Sequence, residues 1–149
     1  GAVEQVRVDA HPAPPGPEVP RALLAALPER LRQPAFELTG GMHATGLFDS
    51  GGELLCARED VGRHNAMDKL VGSRLAADAL PLANSIVLLS GRASFELVQK
   101  AGAAGVPLLA AIGAPSSLAI ELAEQAGITL VAFLRDGAFN IYTHGARLR

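Results

Sequence analysis

The sequence has few of the features that are typical of membrane proteins, disulfide-rich proteins and nucleic-acid-binding proteins. It contains one cysteine in 149 residues, so no internal disulfide can form. Proline, glycine or charge interrupts every apolar run before it is long enough to cross a bilayer. The net charge of −2 and the isoelectric point near 6.1 argue against general binding to nucleic acid or membrane surfaces. With no signal peptide recognisable, we expect a cytoplasmic protein.

The N-terminal part is rich in proline and leucine. Val3–Val8 alternates apolar and polar residues, which predicts a short edge strand. The prolines over 11–17 predict an extended connector. A leucine stripe predicts a helix over Arg21–Arg32, and Pro28 is expected to break or restart that helix.

The remainder of the chain, 49% hydrophobic overall, alternates strand and helix patterns. Asp49-Ser50-Gly51-Gly52 predicts a hairpin turn between strands over 44–48 and 54–58. Later strands are predicted over 85–89, 106–112, 128–133 and 139–142, with helices over 66–79, 95–105 and 118–127. Such alternation indicates an α/β fold: a mixed sheet with helices on both faces. We divide the chain into residues 1–35 and a core of 36–149.

The densest group of charges lies in Arg58–Lys69. It follows a predicted strand and precedes a predicted helix, so we expect a strand-to-helix turn. Gly62 would allow an unusual backbone conformation there, and Asn65 would cap the helix. A turn of this kind can present backbone N–H groups to an anion. A salt-bridged surface loop is the alternative interpretation.

Turns at Gly62, Gly91 and Gly113 all follow strands of the predicted sheet. Ligands of such sheets bind at the carboxyl ends of the strands. Guanidinium groups, hydroxyls and helix N-termini gathered there favour a phosphate-bearing ligand. The residues delivered to this edge are Arg63, His64, Ser90, Arg92, Ser94, Ser116 and Ser117. No P-loop or G-x-G-x-x-G motif is present, so neither ATP hydrolysis nor NAD binding is supported.

Two further residues have a structural and a functional interpretation. His43 follows Gly40-Gly41 and is either a hydrogen-bonded structural histidine or part of a site. Cys56 lies among leucines in a predicted strand, where burial is the favoured interpretation over reactivity. The sequence argues against a zinc deaminase, because no glutamate adjoins His43 and the cysteines are too few.

Four motifs together resemble the formate dehydrogenase accessory protein (FdhD) family. They occur in the family's order and lie within about three quarters of the chain. The segments are Thr39–Ala44, Arg58–Leu70, Ser90–Lys100 and Thr129–Phe133. The resemblance implies a three-layer α/β/α fold like that of cytidine deaminase, and a homodimer.

It also implies a sulfurtransferase. Such a protein passes sulfur from a cysteine desulfurase to the molybdenum bis-guanine-dinucleotide cofactor of formate dehydrogenase, and GDP would mimic half of that cofactor. No nucleic-acid or membrane partner is implied. The cofactor-binding residues would be Phe133, Leu134, Arg135, Asp136, Gly137, Ala138, His43, Arg63, His64, Ser90, Arg92 and Ser94.

One feature departs from the family pattern. The sulfur-carrying Cys-x-x-Cys pair expected upstream of Thr39 is absent, and Cys56 lies downstream of that position. Either the chain begins after the pair or this member lacks it. We therefore expect a cofactor-binding body with no catalytic residue of its own and no metal site. The alternative function is a non-enzymatic dimeric scaffold or chaperone that docks formate dehydrogenase or a nucleotide-bearing cofactor.

Overall fold

A computed structural model describes residues 16–32 and 43–149. The predicted strand Val3–Val8, the prolines before residue 16 and the motif residues Thr39–Met42 lie outside these ranges. The described elements are α1 (Arg21–Leu31), β1 (His43–Asp49), β2 (Leu54–Asp60), α2 (Arg63–Ala76), β3 (Ser85–Leu89), α3 (Phe95–Ala103), β4 (Leu108–Ala111), α4 (Ser117–Ala126), β5 (Thr129–Arg135), β6 (Ala138–Thr143) and a 3₁₀ turn (Gly145–Arg147). None of the helices in this part of the chain is long and apolar enough to cross a bilayer.

The strands form one mixed sheet in the order β2-β1-β3-β4-β5-β6. Strand β1 is antiparallel to both β2 and β3, whereas β3, β4 and β5 are parallel to one another. Consequently β2, β3, β4 and β5 all end at the same edge, which we call the carboxyl edge. The predicted mixed α/β sheet, its leading hairpin and its final edge strand are confirmed.

Alternation of side chains along the strands gives the sheet two apolar faces. On one face, strand residues such as Val87 and Leu109 pack with Met67 of α2, Leu97 of α3 and Leu122 of α4. The opposite face, which includes Phe48, Ile86 and Val131, packs with the leucines of α1. Helices therefore cover both faces of the sheet, as the alternating pattern predicts.

Helix α1 corrects the expectation for Pro28. The helix runs through this proline from Arg21 to Leu31 without a break. Proline lacks the N–H that would donate to the Leu24 carbonyl, and its ring crowds that carbonyl. Leu24, Leu27, Leu31 and Pro28 itself are all buried. Burial of this apolar stripe thus outweighs the local cost of the proline.

The start of α2 corrects two further expectations. The helix begins at Arg63, three residues earlier than predicted, with Gly62 as its N-cap. Gly62 has φ −103° and ψ 127°, an extended conformation open to any residue, so no unusual backbone is needed there. Asn65 lies inside the first turn, where its amide contacts the Asp60 carboxylate at 3.4 Å instead of capping the helix.

Candidate functional site

Hydrogen bonds continue the sheet beyond its strand ends and align several turns at the carboxyl edge. The Ala44 N–H donates to Ser90 Oγ at 2.8 Å, which joins the start of β1 to the turn after β3. The Gly113 N–H donates to the Gly91 carbonyl at 2.9 Å, and the Phe133 N–H donates to the Gly113 carbonyl at 3.1 Å. The turns after β3 and β4 therefore lie side by side, next to the end of β5.

Close packing explains both glycines in this row. A Cβ on Gly113 would lie 2.9 Å from the Gly91 carbonyl oxygen and 3.1 Å from the Arg92 nitrogen. A Cβ on Gly91 would lie 3.2 Å from His43 Nδ1. Glycine therefore lets the two turns touch each other and lets His43 lie against them.

The first cavity at this edge, the arginine cavity, has a volume of about 270 Å³. It is lined by Arg63, Arg92, Ala93, Ser94, Ala114, Pro115 and Ser116. Arg63 reaches it from the start of α2, and Arg92 from the turn after β3. The Nε atom of Arg63 is buried and has no hydrogen-bond partner among the described residues. Because a buried unpaired donor is costly, this atom is suited to an acceptor that enters the cavity.

Two helices begin at the arginine cavity. Ser94 Oγ accepts a hydrogen bond from the Leu97 N–H at 3.4 Å and caps α3. Ser116 Oγ accepts one from the Ala119 N–H at 3.1 Å and caps α4. A bridge between Ala93 and Pro115 holds the two caps together. The positive ends of both helix dipoles thus add to the two guanidinium charges, an arrangement that favours an anion.

Asp60 holds the turn from which Arg63 projects. Its carboxylate accepts the Gly62 N–H at 3.0 Å and pairs with Lys69 Nζ at 2.6 Å. The hydrogen bond from the Gly62 backbone, followed by that from Lys69, lowers the pKa of Asp60 to about 2. Asp60 therefore stabilises the turn, whereas Arg63 lines the cavity.

The second cavity, the helix cavity, has a volume of about 380 Å³ and lies between α1 and the turn after β5. It is lined by Ala25, Pro28, Glu29, Arg32, Ile112, Leu134, Arg135, Asp136 and Gly137. The β5–β6 turn has positive φ at Asp136 (56°) and Gly137 (75°), and Phe133 is also in the left-handed region at 54°. The Arg135 guanidinium lies 5.7 Å from the centre of the Phe133 ring.

Comparison with known proteins identifies the family. The model of the FdhD/NarQ family matches residues 2–149. The chain belongs to this family. The sulfur carrier protein FdhD of Streptomyces avermitilis is 58% identical over 128 residues, which cover 85% of this chain and 45% of that protein. Its counterpart in Nocardia farcinica is 51% identical over 152 residues, covering 99% of this chain and 54% of that protein. The chain thus spans about half the length of these relatives.

A solved structure agrees with this assignment. A protein from Desulfotalea psychrophila, assigned as a formate dehydrogenase accessory protein, superposes with a TM-score of 0.81 at 32% identity. The match covers 96% of this chain and 61% of that one. A second structure, NE0047 in complex with 2,6-diaminopurine, has a TM-score of 0.57 at 17% identity over 80% of this chain and 78% of its own. The latter shows a shared fold alone.

The residues predicted for the site divide among several places in this FdhD/NarQ chain. Arg63, Arg92 and Ser94 meet in the arginine cavity, and Ser116 lies with them. Ser90 Oγ instead accepts the hydrogen bond from the Ala44 N–H at the start of β1. Residues 134–137 line the helix cavity on the α1 side.

The remaining predicted residues lie beside these cavities. His43 contacts the Gly91 turn, and Phe133 stands next to Arg135. His64 is half-buried in the first turn of α2, and Ala138 begins β6 at an exposed position. None of these four is among the residues lining either cavity.

Sequence reasoning missed three residues that shape the site. Glu29 and Arg32 line the helix cavity, but nothing in the leucine pattern of α1 indicates which end of the sheet the helix approaches. Asp60 organises the turn before Arg63, and its position two residues before a glycine was the available signal.

The structure also gives the position of Cys56. Cys56 is 3% exposed, as predicted, and its sulfur accepts a hydrogen bond from Arg58 at 3.1 Å. Among the residues that the structure describes, no three His, Cys, Asp or Glu side chains are grouped closely enough to hold a metal ion.

Proposed function

We propose that this chain is the cofactor-binding body of a sulfur carrier protein that serves formate dehydrogenase. In this proposal the whole protein takes sulfur from a cysteine desulfurase and delivers it to the molybdenum bis-guanine-dinucleotide cofactor, which is its substrate. The names of the sulfur carrier relatives and of the similar accessory protein support this role. We also propose that the protein acts in the cytoplasm as a homodimer with a cytidine-deaminase-like fold.

The arginine cavity is the observation on which the proposal rests. Two guanidinium groups and two capped helix N-termini face the same space, and Arg63 Nε is a buried donor without a partner among the described residues. Diphosphate oxygens can accept hydrogen bonds from both arginines. A guanine dinucleotide carries such a diphosphate, so its anionic part would fit this end of the sheet.

Cys56 is a poor candidate for the thiol that carries sulfur. Its side chain is buried between the sheet and α2, where it contacts Ser73 Oγ at 3.4 Å as well as Arg58. A sulfur carrier must expose its thiol to the desulfurase and later to the cofactor. We therefore assign sulfur transfer to a thiol other than Cys56, and ligand binding to the part described here.

Thermal unfolding with and without GDP tests this proposal. GDP should raise the melting temperature of the wild-type chain, because a ligand bound only to the folded state stabilises it. Arg63→Ala and Arg92→Ala should each weaken GDP binding about tenfold or more, since a hydrogen bond to a charged group contributes about 1.5–3 kcal/mol. The increase in melting temperature that GDP causes should therefore be smaller in both variants than in the wild type.

Arg74→Ala is the matched control. Arg74 lies in the last turn of α2, about 17 Å along the helix axis from Arg63, and should leave the GDP-dependent shift unchanged. If both cavity variants retain the full shift, the assignment of the phosphate site is wrong.

A further inference from the structure

The two cavities differ in the charges that line them. The arginine cavity has two arginines and no carboxylate among its lining residues. The helix cavity has Glu29 and Asp136 as well as Arg32 and Arg135, so its formal charges balance. Carboxylates repel phosphate oxygens, whereas a mixed set of donors and acceptors suits an uncharged group that has both. The helix cavity is therefore better suited to a heterocyclic base than to a phosphate.

One short turn separates the cavities. Ile112 lines the helix cavity and packs on the α1 side of the sheet, whereas Ala114 lines the arginine cavity. Gly113 lies between them without a side chain. A ligand that crosses this turn could place its diphosphate in the arginine cavity and its base in the helix cavity.

Glu29 and Arg32 are three residues apart at the end of α1, a spacing that brings side chains onto the same helix face. Guanine presents a carbonyl acceptor beside ring and amino N–H donors. Arginine pairs with the acceptors of guanine, and a carboxylate accepts from its donors. Adenine has an amino group where guanine has its carbonyl, and hypoxanthine lacks the 2-amino group of guanine.

We infer that the end of α1 recognises the base of the ligand and makes the site specific for guanine. Glu29 accepts hydrogen bonds from the guanine N–H groups, and Arg32 donates to the guanine carbonyl. This inference rests on the proposed function, since it assigns one half of the same ligand. Ala25, Pro28, Ile112 and Leu134 supply apolar surface for the ring. Ring faces packed on apolar side chains with a few polar groups at the rim are typical of ligand pockets.

Calorimetric titration of the 149-residue chain with GDP, inosine diphosphate and ADP tests the inference. The wild type should prefer GDP to either competitor by about tenfold or more, the discrimination expected of a good bidentate contact. Glu29→Gln should weaken GDP binding more than inosine diphosphate binding, because hypoxanthine shares the ring N–H of guanine and lacks only its 2-amino group. The preference for GDP over inosine diphosphate should therefore fall about tenfold. Glu121→Gln, an exposed glutamate on α4, is the matched control and should keep the full preference.

The outcomes separate the inference from the proposed function. If the wild type binds GDP but Glu29→Gln keeps its full preference, the assignment of Glu29 is overturned and the proposed function stands. If the wild type binds no GDP, the proposed function and this inference both fail. Equal melting temperatures of wild type and Glu29→Gln without ligand would show that any loss of preference is not a loss of folding.

Discussion

Asp60 shows how a residue outside the cavities can determine their geometry. It accepts the Gly62 N–H, pairs with Lys69 and contacts Asn65, so three contacts hold the turn immediately before Arg63. The charged motif is thus partly structural and partly directed at the arginine cavity. The surface-loop interpretation of this motif accounts for Asp60 and Lys69, whereas the anion-binding interpretation rests on Arg63 and stays a prediction.

The lowered pKa of Asp60 predicts a specific acid sensitivity. Because the folded-state pKa of about 2 lies below the ordinary aspartate value of 3.8, the unfolded chain binds this proton more readily. The stabilisation from ionised Asp60 is therefore complete above about pH 4 and lost as the pH falls towards 2. Melting temperatures measured from pH 5 to pH 2 should decline less steeply in Asp60→Asn than in wild type.

Glu121→Gln serves as the control in this pH series, because Glu121 is exposed. Its curve should run parallel to that of wild type. Parallel curves for Asp60→Asn and wild type would contradict the role given to Asp60.

At the residue scale, chain order was enough to predict part of the site. Arg63 and Arg92 each follow a strand that ends at the carboxyl edge, so their convergence could be inferred before the structure was known. Glu29 and Arg32 could not be inferred, because their place depends on how α1 packs across the sheet. Asn65 does not cap α2, because the helix begins earlier, at Arg63.

At the scale of elements, the row of turns after β3, β4 and β5 sets the shape of both cavities. Gly91 and Gly113 allow these turns to touch through the 2.9 Å hydrogen bond between them. A side chain in this row would push the turn after β3, which includes Arg92, away from the turn after β4.

A pair of glycine substitutions tests how tightly the turns after β3 and β4 pack against each other. Gly113→Ala should destabilise the fold by about 1–3 kcal/mol, because the added methyl would contact the Gly91 carbonyl and the Arg92 nitrogen. Gly72→Ala, inside α2 with no atom within 4 Å of the added Cβ, should stabilise it by about 0.5–1 kcal/mol. Denaturant unfolding of both variants measures these changes. Equal stability of Gly113→Ala and wild type would show that the turns are not tightly packed.

The ends of strands and helices are predicted less accurately from the sequence pattern than their order. The apolar run over 106–112 predicts a longer strand than the observed β4, Leu108–Ala111, because buried loops at its ends are as apolar as the strand. Conversely, β5 extends to Arg135, past the predicted end at 133, because its polar end still pairs with Ala138 of β6. Pro28 predicts a break in α1, but the burial of Leu24, Leu27 and Leu31 keeps the helix continuous across it.

At the scale of the whole molecule, the fold is the best-predicted property. The order of hairpin, helices and buried strands was enough to predict a mixed sheet with helices on both faces, and the structure confirms it. The division of the carboxyl edge into two cavities was not predictable. It arises because α1 packs on one face while α3 and α4 begin on the other, a consequence of tertiary packing alone.

In the proposed function, the carboxyl edge binds a guanine nucleotide through its diphosphate and its base. Calorimetric titration of the wild-type chain with GDP, GMP and ADP tests it most directly. We predict that GDP binds more tightly than GMP, because the second phosphate adds contacts to Arg63 and Arg92, and more tightly than ADP. Absence of GDP binding, or equal affinity for all three nucleotides, would contradict the claim.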